Sequence, residues 1–246
     1  MKYVGSKNKL AKELSPIIQS YIKSDTKGYL EPFVGGANMI DKIQCNNKIG
    51  CDIHEELIEL LKYTQEFSEL LPITISEEKY IDVKDNKEKY EKWFVGLVRF
   101  CATFGAKYFG GYARGFKEDK ATLRDIPSEG IRNLKAQAPN LEGIKFINSS
   151  FLELPIDKIK NHVIYCDIPY RGTIKYKTQQ FPYAEFYEWV KELAIHNTVL
   201  ISEYEMPIGF ECIWQKEVKC SIDSNKVHND KNNIRVEKLF TYNKLK

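Results

Sequence analysis

Asp167, Ile168, Pro169 and Tyr170 stand in consecutive positions and bring three kinds of group together. Asp167 offers a carboxylate acceptor, Ile168 a backbone carbonyl that the following proline holds in extended geometry, and Tyr170 an aromatic face. Together they can hold an exocyclic amine on a planar ring: two acceptors take its two hydrogens, and a plate lets the ring stack. A plain strand-to-turn exit uses the same residues, so the rest of the chain has to decide between the two.

The element that positions this tetrapeptide is the apolar run His162 to Cys166, which stops at Asp167. Short, β-branched and aromatic, it reads as a buried strand with a polar loop at its carboxyl end, where open α/β sheets bind ligands. Earlier segments repeat the pattern. Tyr29 to Phe33 predicts a strand that runs into Gly35 and Gly36 and then a helix start. Paired glycines let a backbone approach a ligand closely, but the stretch is not G-x-G-x-x-G, which disfavours a dinucleotide oxidoreductase. Lys48 to Cys51 predicts a second strand ending on Asp52, followed by a helix with Ile53, Leu57, Ile58, Leu60 and Leu61 as its apolar stripe. An acid there can take ribose hydroxyls or cap the helix that follows. Near the start, Tyr3, Gly5, Ser6 and Lys7 precede a helical pattern through Leu10, Leu14, Ile17, Ile18, Tyr21 and Ile22, with Ser6 as its N-cap. Tyr3 and Lys7 could clamp a small zwitterion, one by stacking and the other through its carboxylate. The same residues also suit a capped surface helix.

From about Leu71 to Ala138 the βα rhythm breaks. Between Lys84 and Lys135 there are twelve Lys or Arg against seven Asp or Glu, a local net of +5 in a chain whose total is +3. Arg99, Lys107, Arg114, Lys117, Lys120 and Arg124 alternate with Phe104, Tyr108, Phe109, Tyr112 and Phe116. That alternation suits a lobe that meets a phosphate backbone and inserts side chains among bases, or a solvated face over an aromatic mini-core. The rhythm returns with a strand from Ile144 to Asn148, then Ser149, Ser150 and Phe151, where an amide and a ring could frame an adenine. Tyr176 to Phe181 reads as a loop, Tyr183 to His196 as a helix and Thr198 to Ser202 as a strand. Tyr204, Met206 and Pro207 are expected to wall the pocket. Strands around Cys212 to Cys220 and Ile234 to Tyr242, separated by a polar loop from Ser221 to Asn233, finish the sheet.

At 43% hydrophobic and 29% charged, 246 residues suffice for one large domain or a domain with an inserted lobe. Six cysteines without C-x-x-C pairing and four histidines without ligand spacing predict reduced thiols and no metal. MKYVGSKNKL lacks the apolar core of a signal peptide, and no run approaches the roughly twenty apolar residues of a membrane span, so a cytoplasmic protein without membrane contact is expected.

The order of the pieces is restrictive: K-Y-V-G-S-K, E-P-F-V-G-G, C-D-I-H-E-E-L-I, a basic insert, N-S-S-F and D-I-P-Y. That series resembles the Dam-like family of DNA adenine-N6 methyltransferases, whose motif is D-P-P-Y, over nearly the whole chain. The resemblance implies an α/β, Rossmann-like S-adenosylmethionine-dependent methyltransferase fold with a mostly parallel seven-stranded sheet. It implies a catalytic domain over 1–70 and 139–246 and an inserted, mainly helical DNA-recognition lobe over 71–138. Cofactor contacts fall on Tyr3, Lys7, Phe33, Gly35, Gly36, Asp52, Phe151 and Asp167, with S-adenosylhomocysteine as product and no metal. Catalytic groups fall on Asp167, Ile168, Pro169 and Tyr170. Double-stranded DNA is the implied partner of a monomer or weak dimer, with the target adenine flipped out of the duplex. Two positions depart from the family pattern. Ile168 replaces the first proline but keeps the acceptor carbonyl, and GAKYFGGYARG only loosely echoes the segment of members that recognise GATC. A cytosine-N4 or protein-amide methyltransferase on the same fold, or a silent DNA-binding module, are the alternatives.

Overall fold

The computed structural model describes residues 3, 5–106, 108–116, 121–171, 181–219 and 234–242. Its elements run α1 (Ala11–Tyr21), β1 (Gly28–Glu31), β2 (Lys48–Asp52), α2 (Glu55–Phe67), α3 (Glu77–Asp85), α4 (Lys92–Cys101) and α5 (Ile126–Leu141). There follow β3 (Ile144–Asn148), β4 (His162–Asp167), α6 (Tyr183–Leu193), β5 (Thr198–Glu203), β6 (Phe210–Lys219) and β7 (Ile234–Tyr242). The strands form one sheet in the order β3-β2-β1-β4-β5-β7-β6. The first five are parallel, and β7 lies antiparallel between β5 and β6. From β1 the chain winds outward to β2 and β3, then returns to β1's other side with β4. A crevice therefore opens beyond the carboxyl ends of β1 and β4.

Both faces of the central strands are covered, so their side chains alternate between two cores. Tyr29, Val163, Tyr165, Leu200 and Leu239 pack with α1, α2, α4 and α5. Leu30, Ile164, Cys166, Val199 and Ile201 pack with α6 on the other side. The basic insert is not set apart from this architecture. Val95, Leu97 and Val98 of α4 and Ile131, Leu134 and Leu141 of α5 belong to the same core as α1 and α2. At Gly96, α4 approaches α2 so closely that an added Cβ would lie 2.2 Å from the Glu56 carbonyl oxygen.

The elements differ from the sequence expectations at four places, the first being that Ser6 caps a 3-10 turn, Lys7–Lys9, while Leu10 and not Ser6 precedes α1. β1 stops at Glu31 rather than Phe33, because Pro32 has no N–H to continue the ladder. After Gly35 and Gly36 the expected helix start is a single 3-10 turn, Ile40–Lys42. α5 arises where the sequence offered only a polar run up to Asp125. That residue starts it, its carboxylate accepting the Ser128 N–H at 2.9 Å, with Pro127 in the first turn. Most of the expected loop before Phe181, and the loop from Ser221 to Asn233, lie outside the described residues.

Candidate active site

Side-chain alternation decides what Asp167 can reach. It follows Tyr165 by two residues and so emerges on the face covered by α1, where the N-terminal segment passes. There Ser6 caps a 3-10 turn, Lys7–Lys9, by accepting the Asn8 N–H at 3.2 Å. The turn delivers Lys7, 8% exposed, into the crevice with its Nζ 2.8 Å from Asp167 Oδ1 and 3.9 Å from Glu237 Oε2. The same ammonium sits 4.4 Å from the centroid of the Tyr170 ring. Tyr170 donates its hydroxyl to Glu237 Oε2 at 2.8 Å, and its ring meets Tyr204 at 4.5 Å in an edge-to-face arrangement. Ile168 is buried on the opposite face, in the α6 core. The Pro169 carbonyl accepts the Tyr183 hydroxyl at 2.7 Å.

Burial pushes the Asp167 carboxyl above the ordinary carboxylate value, and the Lys7 ammonium opposes that rise. Burial likewise disfavours the Lys7 charge, but Asp167 and Glu237 outweigh it, so the Lys7 pKa is raised and its cation is held. With the Lys7 side chain nearly enclosed and Asp167 at 23% exposure, the pair is a partly desolvated ion pair open on the carboxylate side. Burial, reinforced by Asp167 and Glu237, lifts the Tyr170 phenol well above its usual range, so it remains a donor. Burial also raises the Cys166 thiol well above normal, which makes it a packing group and not a nucleophile.

Next along the sheet, Asp52 ends β2. Its Oδ2 accepts the Gly35 N–H at 3.1 Å and its Oδ1 the His54 N–H at 3.0 Å, tying the glycine loop to the second strand. Burial raises its pKa, against the His54 charge and these amide bonds. Gly35 has φ +48° and lies under Tyr3, whose ring would stand 3.0 Å from an added Cβ. The Gly36 carbonyl accepts from Gln137 Nε2 at 3.1 Å, so α5 braces the loop from behind. Phe33 and Phe151 meet at 5.4 Å, with Phe181 against both. Each Asp52 oxygen keeps lone-pair capacity for a hydroxyl beyond the amide it already holds, and the cluster of Phe33, Phe151 and Phe181 offers aromatic edges and faces of the kind a nucleoside meets. S-adenosylmethionine fits this donor set.

Among the described residues, the insert's named cations fall in two places, Arg99 apart from Arg114 and Arg124. Arg99, 14% exposed, pairs with Glu56 at 3.0 Å, lies over the Tyr108 ring and is near enough to Asp52 for its charge to favour that carboxylate. Arg114 pairs with Glu77, and Arg124 with Glu129. These two border a surface cleft of about 390 Å³ that also takes in Thr74, Tyr112 and Asp125. Lys107, Lys117 and Lys120 lie outside the described residues. Among the described residues, no group of three or more His, Cys, Asp or Glu could hold a metal, and no helix is long and apolar enough to cross a membrane.

Three acids were given no role from the sequence: Glu31, which opens E-P-F-V-G-G, Glu203 and Glu237. With Asp52 and Asp167, Glu31 and Glu203 complete a pattern in which β1, β2, β4 and β5 all end on a carboxylate. Glu31, 3% exposed, is held by the Tyr29 hydroxyl at 2.7 Å, and Glu203 accepts the Arg171 and Tyr204 amides at 3.2 and 2.7 Å. Their position at strand ends was the available signal. Gln137 carried none, since a glutamine inside a helix reads as surface.

A seven-stranded sheet of this order, with one antiparallel strand beside β5 and a crevice between β1 and β4, defines a Rossmann-like methyltransferase fold. The chain belongs to the D12 class N6 adenine-specific DNA methyltransferase family, whose profile matches residues 3–199. No curated protein matches. Among solved structures, a Haemophilus influenzae chain provisionally described as a methylase is 11% identical, over 95% of this chain and 88% of its own, with a TM-score of 0.35.

Proposed function

We propose that this protein transfers a methyl group from S-adenosylmethionine to N6 of an adenine flipped out of duplex DNA. The observation that carries the reading is the meeting of Asp167, Lys7 and Tyr170 at the open end of β4, within a chain of the adenine-N6 family. S-adenosylmethionine, when bound, supplies an electrophilic methyl. Tyr3, Lys7, Phe33, Gly35, Gly36, Asp52, Phe151 and Asp167 are the residues that would hold it, Asp52 through hydroxyls and the phenylalanines through the ring.

Asp167 and the Ile168 carbonyl accept the two N6 hydrogens and so aim the nitrogen lone pair, while Pro169 fixes that carbonyl's direction and Tyr170 supports the base. Positioning is the main catalytic device, and no covalent enzyme intermediate is needed. Lys7 favours the ionised form of Asp167 against the burial that raises its pKa, and in that form both oxygens are acceptors. Arg114 and Arg124 would meet the phosphate backbone by exchanging Glu77 and Glu129 for phosphates, and the same role is assigned to Lys107, Lys117 and Lys120 from the charge pattern of the sequence. Arg99 instead supports the cofactor side through Glu56.

The test is transfer of tritiated methyl to DNA, followed by nucleoside analysis. The wild-type chain should yield N6-methyladenine. Asp167→Ala should lose at least about a thousandfold in rate while melting as a folded protein. Near-normal turnover by that variant, or label recovered as N4-methylcytosine or in protein, would overturn the reading.

A further inference from the structure

The D-I-P-Y motif does not by itself explain how its tyrosine ring is held. A phenol ring turns about two side-chain torsions, and a platform for a flipped base has to keep one plane. In this chain the hydroxyl of Tyr170 is anchored at 2.8 Å on Glu237, a residue of β7 that lies beyond the stretch matching the family. Glu237 stands opposite Lys216 of β6, and the pairing of β7 with β5 begins at the next residue, Lys238 opposite Glu203. Its backbone therefore sits inside the sheet and not on a free loop. The oxygen that takes the phenol is also the one 3.9 Å from Lys7 Nζ, so one carboxylate oxygen faces both the ring's hydroxyl and the cation lying over the ring.

We infer that Glu237 is a positioning residue for base capture: by holding the Tyr170 hydroxyl it sets the plane on which the target base stacks. This rests on the adenine-methylation reading and deepens it. Glu237 touches neither base nor methyl donor. It acts through Tyr170, and its contribution lies in the flipped-base complex rather than in cofactor binding.

The experiment compares Glu237→Ala, Glu237→Gln, Tyr170→Phe and the double variant Tyr170→Phe/Glu237→Ala with wild type. Three quantities are read: single-turnover methylation, the fluorescence of 2-aminopurine at the adenine that wild type methylates, and S-adenosylmethionine affinity by calorimetry. Glu237→Ala should lose about tenfold in single-turnover rate, the weight of one hydrogen bond to a charged acceptor, and most of the fluorescence increase. Its cofactor Kd should stay within about twofold of wild type, since Lys7 keeps its closer partner Asp167 at 2.8 Å. Glu237→Gln keeps an acceptor without the charge and should restore most of both signals. The double variant should be no worse than Tyr170→Phe alone, because both changes remove the same bond.

A Glu237→Ala protein with wild-type rate and fluorescence overturns the inference. So does a Glu237→Gln protein as impaired as Glu237→Ala with weakened cofactor affinity, which would assign the effect to charge on Lys7. If Glu237→Ala does not fold, Tyr170→Phe decides, since it removes only the hydroxyl: unaltered rate and fluorescence there overturn the inference equally. A wild-type chain that methylates no adenine overturns the proposed function itself, whereas an active wild type with an indifferent Glu237→Ala overturns this inference alone.

Discussion

Asp167 pairs with Lys7 at 2.8 Å in a site where burial works against both charges, and this makes pH the direct probe of the residue. Protonating Asp167 turns an acceptor oxygen into a donor, and its pKa in the folded chain is raised. The acid limb of kcat/KM should therefore lie above the pH at which an ordinary carboxylate titrates. Lys7→Gln removes the charge that opposes the rise, so its acid limb should move further up; a pH–rate profile unmoved, or moved down, contradicts the pairing. Glu31 offers the complementary stability test. Its folded pKa lies well above the ordinary value because of burial, so it contributes stability below its unfolded pKa and loses it as pH rises through the folded one. Glu31→Gln should raise Tm at pH 8 relative to wild type and give little or none of that gain at pH 4, as scanning calorimetry at the two pH values would show. Asp52 and Asp167 were legible in the sequence because each ends an apolar run and is followed by a marked break in pattern. Glu237 was not, because a glutamate in an alternating strand near the chain's end has the look of a solvent-facing position. Only the insertion of β7 next to β5 turns it inward.

At the scale of elements, the sequence made the strands legible and left the crossover between β2 and β3 obscure. Apolar runs such as His162 to Cys166 have one reading as buried strands, and they landed within one or two residues of the observed ends. α5 escaped notice because Gly130, Pro139 and a glutamine dilute its apolar stripe, and its identity as a helix comes from the Asp125 cap and from packing against α2 and α4. The packing of α4 against α2 hinges on Gly96. Gly96→Ala has good helix propensity but places a methyl group 2.2 Å from the Glu56 carbonyl oxygen, so α4 and α2 must separate. The substitution should destabilise the protein by about 2 kcal/mol or more, read as a lower midpoint in urea unfolding with an unchanged m-value. Arg99 and Glu56 lie across the same junction, so the variant should also weaken cofactor binding.

For the whole molecule, charge is divided between two regions. Carboxylates collect at the strand ends, and the excess of Lys and Arg lies between Lys84 and Lys135. The sequence disclosed the second region by simple counting, but not that Arg99, Arg114 and Arg124 are already engaged with Glu56, Glu77 and Glu129. If Arg114 and Arg124 exchange those glutamates for phosphates on DNA, replacing either with Ala should weaken binding to every duplex alike. The slope of log affinity against log salt should flatten by about 0.9 per lost contact. Arg99→Ala should leave that slope unchanged. Fluorescence anisotropy across a salt series would separate them, and equal slopes for all three variants would return the region to an ordinary solvated surface.

The placement of β7 between two other strands, rather than at the sheet's rim, has a consequence for biosynthesis. Lys7 leaves the ribosome early and Glu237 late, yet they flank one crevice. A nascent chain, or a product cut short before residue 234, would carry the whole stretch by which the family is recognised and still lack the brace on Tyr170. Such a fragment should be counted by similarity among the methylating enzymes while methylating DNA at least about tenfold more slowly than the longer chain.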